Sequence, residues 1–280
     1  FPATITVALI TKFHMSTTIF ASGFATLCFI LVTKGKIPLY YGSSFSYIGA
    51  IVGLVGADYL HNAAILPDDK IAIVTFGIVM SGLVSIAAGF LVKKLGKDVI
   101  DKILPATITG PIAMVIGLTL AGNAMADAAP ATAGPGFVNN LPWVVSLVTL
   151  IATIIFSVYL KGFLSQLPLF LGMLVGVVVA GILTAATGSD LFRQLPEAVA
   201  SQGVFAIPHF TIPKVYWPAA LAIMPVALAT IPESTAHIYQ LDVYVNDLAK
   251  KLGKKKEYDL ANLLGDNLIG DGIGDMVAGF

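Results

Sequence analysis

Residues 231–237 read IPESTAH, which puts Glu233 and His237 four positions apart inside an apolar stretch from Tyr216 to Leu241. Side chains at that spacing share one helix face. A carboxylate at the centre of a membrane costs about 3 kcal/mol on insertion scales, so it usually faces water, a partner or a ligand. The chemistry open to this pair is hydrogen-bond and proton exchange. Glu233 can accept from a ligand N–H or take up a proton, and His237 can hydrogen-bond the glutamate. The alternative is a pair that merely satisfies each other between helices. Two ligands one turn apart are too few for a metal, and no cysteine or His/Glu cluster completes them. No metal site and no cofactor are read from the sequence.

A second candidate is the stretch 37–50, IPLYYGSSFSYIGA. Pro38 suits a helix start, and Gly42, Ser43 and Ser44 make a poor helix centre. Phe45, Ser46 and Tyr47 then fall at membrane depth. Non-helical backbone is tolerated there only where it lines a cavity or is buried in protein. An interrupted span is also the best sequence pointer to a transporter's binding site. Close helix packing through small residues weighs equally. A third candidate is 259–280, DLANLLGDNLIGDGIGDMVAGF, where Asn262 and Asp266 are four apart, as are Asn267, Asp271 and Asp275. Asp259 reads as a solvated end charge. Asp271 and Asp275 lie deeper and need protonation, a partner or water, with Asp275 leaning towards structure. His14, His61 and His209 fall at loops or span ends and read as solvated or interfacial.

The elements that must position these residues follow from composition. The chain is 57% hydrophobic and 11% charged, with 27 glycines and 15 prolines. Soluble domains carry about 25% charged residues, so the natural solvent here is a bilayer, in which Gly and Pro are commoner. The formal net charge is zero, which gives no reason to expect nucleic acid. The single cysteine, Cys28, excludes a disulfide within the chain and reads as packing. Spans of roughly 20 apolar residues are predicted near 1–13, 16–34, 40–57, 70–92, 101–124, 141–160, 163–187, 216–241 and 258–280. With the 34–39 loop in the cytoplasm, twelve of the sixteen basic residues fall on that side and four (Lys12, Lys70, Arg193, Lys214) on the other. This bias supports an all-α, multi-pass protein of about nine spans, with lysine-rich loops 34–39, 93–102 and 250–256 cytoplasmic. Segment 189–215 is too polar to span. The chain begins and ends inside apolar segments and is expected to be a piece of a longer membrane protein. GDGIGD lacks the context of a nucleotide loop, and no nucleophile-elbow spacing occurs, so no enzyme is read here. An intramembrane hydrolase would need a metal or nucleophile beside Glu233 and His237.

Three motifs carry a resemblance. KGKIPLYYGSSFSYIGA (34–50), FPATITVALITKFHMSTTIFASG (1–23) and PVALATIPESTAHI (225–238) resemble the third, first-to-second and eighth helices of the nucleobase–cation symporters. That family includes bacterial uracil permeases and nucleobase–ascorbate transporters, and the Glu-x-x-x-His spacing is most like the uracil permeases. The resemblance implies two inverted seven-helix repeats, with a core domain packed on a gate domain and a short strand breaking the third helix. It implies core helices over 1–94, gate helices over 95–188, an interfacial or extracytoplasmic loop over 189–215, and core helices again over 216–280. It implies that Glu233 hydrogen-bonds the base, His237 orients it, Phe45 offers its backbone N–H and ring, and Ala3 lines the pocket beside Ser44. Asp271, in its Gly-Asp-Gly setting, looks more like the purine-transporting members and is grouped with Glu233 and His237 for proton coupling. Xanthine-type members tend to carry Asp where His237 stands, which ranks uracil above xanthine. The implied function is proton-coupled uptake of a nucleobase across the plasma (inner) membrane. Sodium is the alternative coupling ion, and a xanthine permease or an anion transporter of the same fold is the alternative function. The partners implied are a small nucleobase and the lipid bilayer, with a homodimer left open.

Overall fold

The computed structural model describes residues 2–56, 59–60, 65–96, 102, 106–129, 136, 138–160, 164, 167–189, 191–192, 207–254 and 258–278. His61, Lys97, Lys161, Arg193, Lys255 and Lys256, and most of the 189–215 loop, lie outside the described residues. Each predicted span contains a helix: α1 Pro2–Thr11, α2 Met15–Val32, α3 Ser46–Val55, α4 Asp68–Leu95, α5 Ala106–Ala128, α6 Leu141–Tyr159, α7 Pro168–Thr187, α8 Trp217–Ile223 with α9 Ala227–Lys251, and α10 Leu264–Ala278. A short 3₁₀ turn, Met224–Val226, joins α8 to α9.

The ends of these helices obey local rules. The longest segment, α4, opens on Asp68 and Asp69 and closes on Lys93 and Lys94, charges that complement its dipole. It stops at Gly96, whose φ of 91° few other residues adopt. α7 starts on Pro168 and stops at Gly188, which is left-handed with φ 69°. Among the described residues, five helical stretches are long and apolar enough to cross a membrane: α2, α4, α6, α7 and the continuous run Trp217–Lys251.

Two expectations shift in detail. The third predicted span, 40–57, is helical only from Ser46 to Val55, and no strand occurs among the described residues. Strand structure needs an extended neighbour. The backbone of Tyr41 instead pairs with a side chain: its N–H donates to Thr26 Oγ1 at 3.0 Å. The eighth predicted span ends at 241, yet α9 continues to Lys251. Residues 242–251 are too polar for lipid but are tied down outside it. Asp242 accepts from Leu260 N–H at 2.6 Å, and Asn246 donates to Tyr258 O and accepts from Tyr258 N–H, both at 2.8 Å.

The chain forms two units, residues 1–116 with 201–280, and residues 117–200. In the first, α4 and α10 meet backbone to backbone. A Cβ on Gly82 would lie 2.6 Å from Gly272 O, and one on Gly89 would lie 2.8 Å from Gly265 O. Two buried apolar clusters flank the interrupted third span. One gathers Phe29, Ile37, Ile231, Ile238, Leu264 and Leu268. The other gathers Tyr47, Ile51, Leu66, Ile71, Val74 and Ile223. In the second unit, α6 and α7 pack through Thr149 and Thr153 against Gly176 and Gly172. Most of their remaining surface is exposed apolar side chain, including Leu150, Ile154, Val158, Val177 and Ile182. Such a surface suits lipid tails and not water.

Candidate functional site: an interrupted helix facing a glutamate

The site begins with what the sequence denies to a helix. Pro38 has no N–H, and Gly42, Ser43 and Ser44 are weak helix formers. The chain is therefore non-helical from Pro38 to Ser44. Its exposed backbone has to be held by something other than a helix ladder. Thr26 does part of this, accepting from Tyr41 N–H while its own hydroxyl lies 2.7 Å from Ser22 O.

Asp275 does more. Tyr41 donates its hydroxyl to Asp275 Oδ1, and Tyr47 donates to Asp275 Oδ2 at 2.8 Å. Tyr41 lies within the break and Tyr47 in the first turn of α3, so one carboxylate on α10 ties the break to the helix that follows it. Ser81 on α4 lies 3.1 Å from the Tyr47 hydroxyl and completes the group. Asp275 is 8% exposed. Gly274 makes room for this grip, because a Cβ there would sit 2.7 Å from the Tyr41 ring.

Glu233 approaches from α9. Its carboxylate accepts from Ser44 Oγ at 2.9 Å and Ser46 Oγ at 3.2 Å. Ser44 Oγ also accepts from Ser46 N–H at 3.2 Å. Both serines sit at the N-terminus of α3, where the helix dipole favours a negative charge. The expected hydrogen bond between His237 and Glu233 is absent: the hydroxyls of Ser44 and Ser46 supply the donors instead. His237 remains one turn away on the same exposed face. The peptide N–H of Phe45 has no hydrogen-bond partner among the described residues.

These groups share an open cavity in the first unit. The six residues to which the resemblance gives site roles, Ala3, Ser44, Phe45, Glu233, His237 and Asp271, all line it. Asp271 is half-buried and accepts from Asn267 Nδ2 at 3.2 Å. Asp266 leaves this group and pairs with Lys93. Tyr41, Gly42, Ser43, Ser44, Tyr47 and Asp275 also line a second cavity, bounded elsewhere by His14 and His209. The break is thus a wall of both cavities.

Sequence reasoning missed Thr26 and Tyr41, and it placed Ser46 and Tyr47 at membrane depth without giving them partners. The signal was there for the tyrosines, since a buried phenol needs a hydrogen-bond partner and these two flank Gly-Ser-Ser. It also set His14 and His209 apart as span-end residues, whereas the structure gathers both beside Asp68.

The sequence profile described as the Permease family, of the xanthine/uracil type, matches residues 1–280. The chain belongs to this permease family. It is 35% identical over 287 residues to a uracil permease of Bacillus caldolyticus, which covers 99% of this chain and 59% of that protein. It is 34% identical over 278 residues to a uracil permease of Bacillus subtilis (strain 168), covering 96% and 58%. It is 26% identical over 280 residues to a putative pyrimidine permease of Escherichia coli (strain K12), covering 100% and 58%. The chain thus spans less than two thirds of the length of these relatives. The family and the relatives named here are described as permeases.

Proposed function

We propose that this permease-family chain carries the substrate site of a secondary active transporter that takes up a nucleobase, uracil first, together with a proton. The observation that carries the reading is Glu233 hydrogen-bonded to the serines of the interrupted third span in the wall of an open cavity. A pyrimidine base presents N–H donors beside carbonyl acceptors. Glu233 accepts from the base, the Phe45 N–H donates to a base carbonyl, and the Phe45 ring packs on its face. His237 orients the base, and Ala3 lines the site. The relatives named as uracil permeases support uracil.

Coupling rests on the cost of charge at membrane depth. A proton arriving at Glu233 neutralises it, and a substrate that accepts or releases hydrogen bonds there links the two events. Asp271 is the second candidate carrier. Movement of core helices (1–94 and 216–280) against gate helices (95–188), each part of an inverted repeat, then alternates access to the site. The setting is the plasma membrane, with the loops containing Lys34, Lys93 and Lys250 in the cytoplasm.

The test is Glu233→Gln in the full-length permease, reconstituted in proteoliposomes under an imposed proton gradient. Labelled uracil uptake should fall to background while the variant still inserts and purifies normally. Uptake at the wild-type level would reject the role of Glu233. A sodium gradient that drives uptake at constant pH would reject proton coupling. The Gly-Asp-Gly setting of Asp271 on the cavity wall keeps xanthine as a second substrate reading, and competition by unlabelled xanthine decides between them. Among the described residues lining this cavity there is no lysine or arginine, which disfavours an anion substrate.

A further inference from the structure

A second chemical cluster lies away from Glu233, where three distant stretches of chain converge. His14 precedes α2, Asp68 opens α4, and His209 sits in the non-helical segment before α8. Each can offer one ligand atom, and these atoms all lie within 4.8 Å of one another. His209 Nε2 is 3.1 and 3.0 Å from the two Asp68 oxygens, and the two imidazole rings have centroids 4.8 Å apart. From these positions we infer that His14, Asp68 and His209 form a binding site for a divalent transition-metal ion, zinc in the first instance.

The backbone around the cluster is laced together without help from the three side chains. Leu66 N–H donates to Lys12 O at 2.7 Å and ties the α1–α2 connection to the start of α4. Lys214 N–H donates to Ala72 O at 2.9 Å and ties the segment before α8 to the first turns of α4. Thr17 clamps His209 itself, accepting from its N–H at 2.8 Å and donating to its O at 3.0 Å. The ligands are therefore carried on a preformed frame, which lowers the cost of ordering them around an ion.

The donor set fits. Two imidazoles and one carboxylate make the three protein ligands of an open transition-metal site, with a fourth position left for water. Zinc–ligand bonds of about 2.0–2.2 Å place tetrahedral donors roughly 3.3–3.5 Å apart. His209 Nε2 and the Asp68 oxygens stand 3.0–3.1 Å apart, slightly inside that separation, and all the ligand atoms lie within 4.8 Å of one another, so side-chain shifts of about 1.5 Å or less complete the geometry. Ligation requires neutral imidazole. The side chains of His209 and Asp68 are 49% and 60% exposed, so an ion can reach them from solvent. The nearby Lys70 ammonium lies over the Tyr59 ring at 4.7 Å.

The test uses protein purified without a polyhistidine tag, stripped with chelator and titrated with zinc by calorimetry. One zinc should bind per chain and raise the melting temperature with zinc concentration. His14→Ala and His209→Ala should each weaken binding more than about 100-fold, the upper figure for losing even an outer-shell partner. His14→Gln and His209→Gln, closer in size, read the same loss if the alanine variants unfold, and melting without zinc checks each fold. Cobalt should give the visible spectrum of a low-coordinate site with nitrogen and oxygen ligands. No saturable binding, affinity unchanged in the variants, or the spectrum of fully hydrated cobalt overturns the assignment.

Discussion

Ser44 and Ser46 are small residues with a large role at this site, because they make Glu233 tolerable. Two hydroxyls and a helix N-terminus face one carboxylate. Hydrogen bonds to a charged group contribute about 1.5–3 kcal/mol each when sheltered from water; here the cavity is open, and the lower figure applies. Replacing both serines by alanine removes two such bonds and should weaken uracil binding by up to about 100-fold, measured by calorimetry. Expression should be unaffected, since the break would still be held by Asp275. Asp275→Asn acts differently. It keeps one carbonyl acceptor but turns the other oxygen into an NH2 donor, so one of the two tyrosine hydroxyls loses its acceptor, at a cost of about 1–3 kcal/mol. The expected result is a lower melting temperature together with weaker substrate binding, and Tyr47→Phe should reproduce part of it. If Asp275→Asn binds uracil normally, the grip on the break is irrelevant to the site.

At the scale of elements, the contact of α4 with α10 is the most constrained. Gly82, Gly89, Gly265 and Gly272 let two backbones touch. Small residues at such seams drive association of membrane helices. Gly82→Ala puts a methyl 2.6 Å from Gly272 O, and overpacking of this kind costs about 1–3 kcal/mol. A thermal melt in detergent should record it; an unchanged melt would mean that the helices separate freely. The broken third span was legible in the sequence because it is a local anomaly: proline, glycine and serines inside an apolar run. Glu233 was legible for the same reason. The Tyr41–Asp275 and His209–Asp68 contacts were not, because they join positions 234 and 141 residues apart. The far end of α9 was also misjudged, since hydropathy marks where lipid stops and not where a helix does.

For the whole molecule, the lysine distribution is the main guide to orientation. It predicts that a cysteine at Lys214, in a Cys28→Ala background, reacts with an impermeant maleimide added to intact cells. A cysteine at Lys251 should react only after the membrane is opened. The reverse pattern would invert the topology. The exposed apolar faces of α6 and α7 make the membrane itself legible from composition alone. The division of the chain into core and gate parts was not readable from composition; it came only from resemblance.

The glycine seam between α4 and α10 also has a mechanical meaning. Side chains absorb displacement by changing rotamer, but a peptide carbonyl resting on the neighbouring helix has no such slack. Two helices joined this way act as one stiff beam. Asp271 and Asp275 are mounted on that beam, and Tyr41 and Tyr47 are fastened to it. Any displacement of α4 therefore carries the interrupted strand of chain along with it at nearly constant spacing, so the floor of the cavity travels as a piece instead of deforming.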